Sequence, residues 1–221
     1  LDIRILKYSF FSIAEFGINK ETYDLLEKGE FIKIEKEILN KLIDFEYIVP
    51  NSIDEFKEIM SINRKGLKDS KTLSSIIQPT SNCQLGCGYC GQVHSKNTMS
   101  HSVTDKTIER IINKIQDKKY ESLKITWYGG EPLLGYSSIL KISNTLQEFT
   151  KSKGIYYSGV MITNGLSLKP NIFKELYLKH NVYRFQITLD TTKEFHNKRR
   201  ITKEGVETFD LIINNILNIV N

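Results

Sequence analysis

Hydrophobic and polar positions follow two different regimes along this chain. From about residue 71 onward, short apolar runs alternate with helical patterns. Residues 73–79 read as a strand. Thr104 is placed to cap a helix whose face is Ile108, Ile111, Ile112 and Ile115. Residues 123–128 form a second strand, followed by a helix with Ile139, Ile142, Leu146 and Phe149 on one side. Residues 158–163 form a third strand, and Pro170 opens a helix carrying Phe173, Leu176 and Tyr177. Residues 182–189 form a fourth, and a last helix carries Val206, Phe209, Ile213, Ile216 and Val220. Four strand–helix units in sequence predict an α/β fold: a parallel sheet with helices packed on it.

The alternation inside these strands sharpens the prediction. Tyr183, Phe185, Ile187 and Leu189 interleave with Arg184, Gln186, Thr188 and Asp190. Leu123, Ile125 and Trp127 interleave with Lys124, Thr126 and Tyr128. Parallel strands covered on both faces would be apolar throughout. Here the apolar set is expected to face the helices and the polar set to line a solvated, barrel-like interior. An edge strand with one wet face is the plainer alternative.

Residues 1–70 are patterned differently. Residues 3–16 suggest two short strands rich in Ile, Tyr and Phe. Residues 20–28 and 34–43 read as helices, with Ile34, Ile38 and Leu42 on one face, and residues 45–49 as a strand. Ser52-Ile-Asp-Glu55 has the form of a capping box for a helix presenting Phe56, Ile59 and Met60. Residues 63–70, polar and containing Gly66, read as a linker. The expected division is therefore a small α+β, winged-helix-like module over 1–70 and a larger α/β domain over 71–221.

Composition narrows the partners. The chain has 221 residues, 40% hydrophobic and 26% charged, which suits a soluble globular protein. Its net charge of +5 comes from scattered lysines, so no dense basic stripe argues for nucleic acid. No apolar run approaches the roughly 20 residues of a membrane span, and no secretory signal is visible. Residues 211–220 are the most apolar stretch, interrupted by Asn214, Asn215 and Asn218.

The three cysteines decide the chemistry. Cys83, Cys87 and Cys90 are the only ones in the chain and are spaced C-x3-C-x2-C. Such clustering argues against a disulfide framework and for thiolates in a reducing cytoplasm. Three thiolates can hold three corners of a 4Fe–4S cluster and leave one iron open, where electron-transfer clusters of this type use four cysteines. An open metal position marks a reaction site. Alternatively, His94 completes a Cys3His zinc site. Three further motifs end the later strands: Trp127-Tyr-Gly-Gly-Glu-Pro132, Ile162-Thr-Asn-Gly165, and Gln186-Ile-Thr-Leu-Asp190 followed by His196 and Arg200. Paired glycines let backbone approach a ligand closely, and an arginine fork suits a carboxylate.

Together these residues resemble the radical S-adenosylmethionine (SAM) superfamily, over about residues 71–221. Tyr89 is the aromatic before the last cysteine of its signature, and Gly129-Gly130-Glu131 matches its GGE motif. Ile162–Gly165 is similar to its T-N-G. The fourth motif resembles the S-L-D-G…H…R pattern of the peptide-modifying branch with SPASM extensions, which includes anaerobic sulfatase-maturing enzymes. Thr188 and Thr191 stand where that pattern has serine and glycine. The resemblance implies a partial (β/α)6 TIM-like barrel, of which about four units are present. It implies that Cys83, Cys87 and Cys90 hold the cluster. Tyr89, Gly130, Thr188 and Arg200 would then contact SAM, supported by Gly129, Glu131 and Asn164. It gives His196 a role in shaping the loop and leaves Arg199 as a solvated charge. The implied activity is reductive SAM cleavage and hydrogen abstraction from a residue of a bound peptide, with an electron donor such as flavodoxin or ferredoxin.

Residues 18–29, with the helix and strand after them, resemble the leader-binding element of maturases of ribosomally made peptides. A structural cap on the barrel is the alternative for this module. A longer native protein is expected, with any auxiliary iron–sulfur cluster outside these residues. Other readings of the whole are a sulfatase-maturase-type or small-molecule radical SAM enzyme, or a non-catalytic zinc- or peptide-binding module.

Overall fold

The computed structural model describes the backbone of residues 3–5 and the whole of residues 17–220. The chain divides into two compact units at Asp69/Ser70.

In the first unit, strand β1 (Ile3–Ile5) pairs antiparallel with β2 (Ile48–Pro50). The remainder of the two strands expected over 3–16 lies outside the described residues. Helix α1 (Lys20–Glu27) is capped by Asn19, whose side chain accepts from the Thr22 amide at 2.8 Å. A 3-10 turn (Phe31–Lys33) precedes α2 (Lys36–Asp44). Leu26, Ile34, Leu42 and Ile48 form a small core, with Ile38 packed against it. Ile34 sits before α2 rather than inside it, yet still joins the face it was expected to share.

Two expectations are corrected in helix α3 (Glu55–Asp69). The cap is Asp54, which accepts from the Lys57 amide at 3.1 Å; Ser52 lies two residues upstream of it. Residues 63–69 are helical rather than a linker. One glycine costs a helix about 1 kcal/mol, and here Arg64, Lys65, Leu67 and Lys68 surround it with good helix formers.

The second unit is a four-stranded parallel sheet in the order β3-β4-β5-β6. Its strands are β3 (Thr72–Ile77), β4 (Ser122–Trp127), β5 (Tyr156–Thr163) and β6 (Val182–Ile187). Helices α4 (His101–Asp117), α5 (Tyr136–Ser152) and α6 (Pro170–Lys179) connect them in turn. Two helices follow β6: a short α7 (Lys193–Arg199), which the hydrophobic pattern did not reveal, and α8 (Phe209–Val220). The register aligns Leu73, Leu123 and Tyr157 across three strands, and likewise Ile77, Trp127 and Met161. These residues are buried together with Ile108, Ile111 and Ile115 of α4, Ile139, Ile142 and Leu146 of α5, and Leu176 of α6. The alternate face carries Ser74, Lys124, Thr126, Arg184 and Gln186, each partly or fully exposed. The face opposite the helix-covered one is thus mixed rather than wholly polar, since Ile76, Val160 and Ile162 share it, and Tyr183 is half exposed instead of packing on the helices.

Two helix readings also change. Helix α4 starts at a Ser100 cap, whose Oγ accepts from the Val103 amide at 3.3 Å. Thr104 lies buried inside the helix and donates its hydroxyl to the Ser100 carbonyl at 2.9 Å. The buried positions of α8 are Ile212 and Asn215. Val206 precedes the helix and is exposed, and Val220 is exposed at its end.

Candidate active site

All the sequence motifs meet at the carboxyl ends of the strands, where α/β folds place their ligands. A cleft of about 280 Å3 is lined by Cys83, Cys87 and Cys90 on one side. Tyr89, Gly129, Gly130, Asn164, Thr188 and Arg200 also line it. Of the residues expected at the cofactor, only Glu131 does not line it.

Glu131 is fully buried, and its carboxylate joins the ends of two strands. One oxygen accepts from the Leu133 amide at 3.1 Å and the Thr163 hydroxyl at 2.7 Å; the other accepts from the Asn164 amide at 2.8 Å. Burial pushes this carboxyl up, and the three donors oppose that shift. Asn164 carries the connection onward. Its side-chain amide donates to Cys83 Sγ at 3.7 Å and to Gln84 Oε1 at 3.3 Å. Its side-chain Oδ1 accepts from the Leu166 amide at 2.9 Å.

The cysteine loop lies against this assembly. The Glu131 amide donates to the Asn82 carbonyl at 2.8 Å, and the Gly130 amide to Gln92 Oε1 at 3.1 Å. Gly130 has φ +54°, and a Cβ there would stand 2.5 Å from the Asn82 carbonyl oxygen. Glycine is thus required by the approach of the cysteine loop itself. Gly165, at φ +85°, is crowded by Ile187 and Ile212. Asn215 of α8 donates to the carbonyls of Gly165 and Leu166 at 2.9 and 3.0 Å and accepts from Lys169 at 2.9 Å. Sequence reading took Asn215 as an interruption of an apolar run. Its helical spacing from Ile212 was the available signal.

A second set of contacts comes from the segment after α7. The Gly86 amide donates to Ile201 O at 2.9 Å, the Lys203 amide to Gln84 O at 3.0 Å, and the Gly88 amide to Arg199 O at 3.1 Å. Leu85, 1% exposed, anchors this antiparallel contact. Arg200 is thereby brought over the thiols. Its Nη1 donates to the Tyr89 hydroxyl, and its buried Nε has no hydrogen-bond partner among the described residues. Arg199 is exposed, as expected of a solvated charge, and it also has partners. Its guanidinium lies 4.7 Å from the Tyr89 ring centre and 5.1 Å from that of Phe195, and its Nε is 3.8 Å from Asp190.

His196 sets this segment. It is fully buried. Its Nδ1 accepts from the Asp190 amide at 3.3 Å, and its Nε2 lies 3.0 Å from Thr208 Oγ1. The Thr208 hydroxyl donates to the Arg200 carbonyl, so Thr208 accepts from Nε2–H. This fixes one neutral tautomer. Burial, and then the Arg200 charge, push His196 below the ordinary histidine range. Asn197 accepts from the amides of Thr208 and Phe209, which starts α8.

The donor set fits an iron–sulfur cluster with an open position. Burial raises the Cys83 and Cys87 thiols, while Arg200 favours the Cys87 thiolate. Metal binding at such thiols releases protons. Among the described residues no three His, Cys, Asp or Glu side chains converge as one metal ion would need. His94 contacts Cys90 at 3.7 Å without completing a single-ion site. Arg200 lines the cleft beside the thiols, and its guanidinium is suited to an anionic group there.

A half-barrel of parallel strands with a three-thiol loop after its first strand defines a class of cluster-dependent enzymes. The chain belongs to the radical SAM superfamily, whose description matches residues 77–221. This membership sets aside the zinc reading of the thiols. Members of the family bind a 4Fe–4S cluster and SAM, and together these supply a 5′-deoxyadenosyl radical. The chain is similar to the cysteine-type anaerobic sulfatase-maturating enzyme of Clostridium novyi, 29% identical over 66% of this chain and 40% of that protein. It is similar to the radical SAM cyclopropyl synthase TigE of Paramaledivibacter caminithermalis, 24% identical over 78% of this chain and 39% of that one. The solved structure of native anSMEcpe with bound AdoMet and the Cp18Cys peptide overlays on 67% of this chain and 40% of that chain, with a TM-score of 0.57 and 25% identity. The chain thus spans about two fifths of these relatives.

Two outcomes follow from this geometry. Glu131→Gln places an amide donor against one of three donors, so it should lower unfolding free energy by about 1–3 kcal/mol. Urea denaturation measures it, and an unchanged midpoint and slope would contradict the clamp. The His196 contribution should be full above the ordinary histidine value of about 6.5 and be lost as pH falls below it, because the native state holds the neutral form. Comparing wild type with His196→Gln, the pH-dependent part of the stability difference should vanish in the variant.

Proposed function

We propose that this chain carries the catalytic core of a peptide or protein maturase that abstracts hydrogen from a residue of a bound peptide. The observation that carries this reading is the open cleft between the thiols and the mixed sheet face, with Thr188 and Arg200 beside it. Support also comes from similarity to anaerobic sulfatase-maturating enzymes and to a structure holding a peptide. In this reading Cys83, Cys87 and Cys90 hold the cluster. Tyr89, Gly130, Thr188 and Arg200 contact SAM. The backbone carbonyls of the Gly129–Gly130 turn accept from its amino group, and Arg200 binds its carboxylate. Glu131 and Asn164 act by holding those groups in place.

The wider setting belongs to the same proposal. The reductant is a flavodoxin- or ferredoxin-like protein, the compartment is cytoplasmic, and the branch is the SPASM-type one. No described helix is long and apolar enough to cross a membrane. The first unit is proposed to recognise the leader of a precursor peptide. A sulfatase-maturase-type activity is the second reading, favoured by the C. novyi relative.

Anaerobic reconstitution tests the core of this. About four irons per chain and 5′-deoxyadenosine released under reductant are expected, with deuterium passing from a labelled peptide into that product. Cys87→Ala should lose iron and SAM cleavage together. Bound zinc without SAM cleavage, or cleavage retained in Cys87→Ala, would overturn the assignment.

A further inference from the structure

Among the described residues, no strand pairs with the outer edge of β3, which lies in an unusual chemical setting. The Tyr128 amide donates to Ile77 O at 3.0 Å, and the Glu121 amide to Lys71 O at 2.8 Å. Odd-numbered residues of β3 therefore direct their backbone groups toward β4. In a parallel strand the even-numbered residues then direct both N–H and C=O outward. Ser70 satisfies Thr72 through bonds of 2.9 and 3.2 Å. Ser74 and Ile76 remain as open edge positions, and the Ile76 side chain is 73% exposed. Within β3 itself no proline, bulge or charge blunts this edge, although natural sheets usually protect theirs.

Beside the edge runs a groove of about 440 Å3 shared by β3 and α4. Its charged lining is Lys106, Arg110 and Lys114, with no acidic residue. All three are exposed and make no ion pair among the described residues. They stand four residues apart on one helix, about 6 Å per step. Alternate residues of a strand are about 6.6 Å apart. A strand added to β3 would thus match successive cations with every second side chain, while the intervening ones lie on the Ile76 side.

We infer that the β3 edge and the basic face of α4 form a docking site for an extended peptide alternating acidic and apolar residues. Outward backbone groups of Ser74 and Ile76 pair with the peptide main chain, and Lys106, Arg110 and Lys114 select its charge. The site is distinct from the thiol cleft, and it stands whether or not the maturase reading does.

The test is fluorescence anisotropy on the whole chain with a labelled peptide alternating Glu and Val. The matched Lys–Val peptide should bind at least about tenfold more weakly, as should the acidic peptide to the Lys106→Glu/Arg110→Glu/Lys114→Glu variant. Methylating every second amide nitrogen of the peptide should abolish binding in one phase of the alternation and spare it in the other. Equal affinity for both peptides, an unchanged affinity in the triple variant, or indifference to methylation in either phase would overturn the inference. So would sedimentation showing that a second copy of the chain occupies this edge.

Discussion

One buried carboxylate organises the site. Glu131 accepts three hydrogen bonds that tie the turn after β4 to the turn after β5. Burying an unpaired carboxylate would be prohibitive, so the three donors and the acid require one another. The consequence runs outward by short contacts. Asn164 is fixed by its amide on Glu131, and its side chain then reaches Cys83. The Glu131 amide holds the Asn82 carbonyl at the start of the cysteine loop. A hydrogen bond to a thiolate ligand is one of the means by which a protein tunes an iron–sulfur centre.

The other wall of the cleft depends on a different constraint. The segment after α7 pairs with the cysteine loop through main-chain bonds, so Arg200 and the thiols are placed by the same contact. His196 and Thr208 hold that segment through a chain of hydrogen bonds with a single allowed tautomer. Arg199, in contact with the rings of both Tyr89 and Phe195, links α7 to the cysteine loop from the exposed side. The loop therefore has an inner support at Glu131 and an outer one at Arg199.

Much of this was legible in the sequence because the relevant signals are local. Strand alternation such as Leu123, Ile125 and Trp127 identifies the helix-covered face, and cysteine spacing leaves a cluster or a zinc site, between which family membership decides. What escaped were local signals of competing strength and features set by neighbours distant in sequence. Gly66 looked like a break, yet helix formers on both sides outvote one glycine. Thr104 looked like a cap, but Ser100 begins the helix. Arg199 has no periodic or motif position of its own. Its partners, Tyr89 and Asp190, are brought to it only by the fold. Asn215 likewise shows its purpose only when the turn at Gly165 is beneath it.

The central claim is that three thiolates leave one cluster position open for SAM, with Arg200 and the Gly129–Gly130 turn at hand. Electron–nuclear double resonance on the reduced, cluster-loaded protein addresses it directly, using SAM labelled isotopically at its amino nitrogen and carboxylate oxygen. The account predicts hyperfine coupling of both labels to the cluster, with the carboxylate coupling altered in Arg200→Lys. A cluster spectrum indifferent to labelled SAM would contradict it.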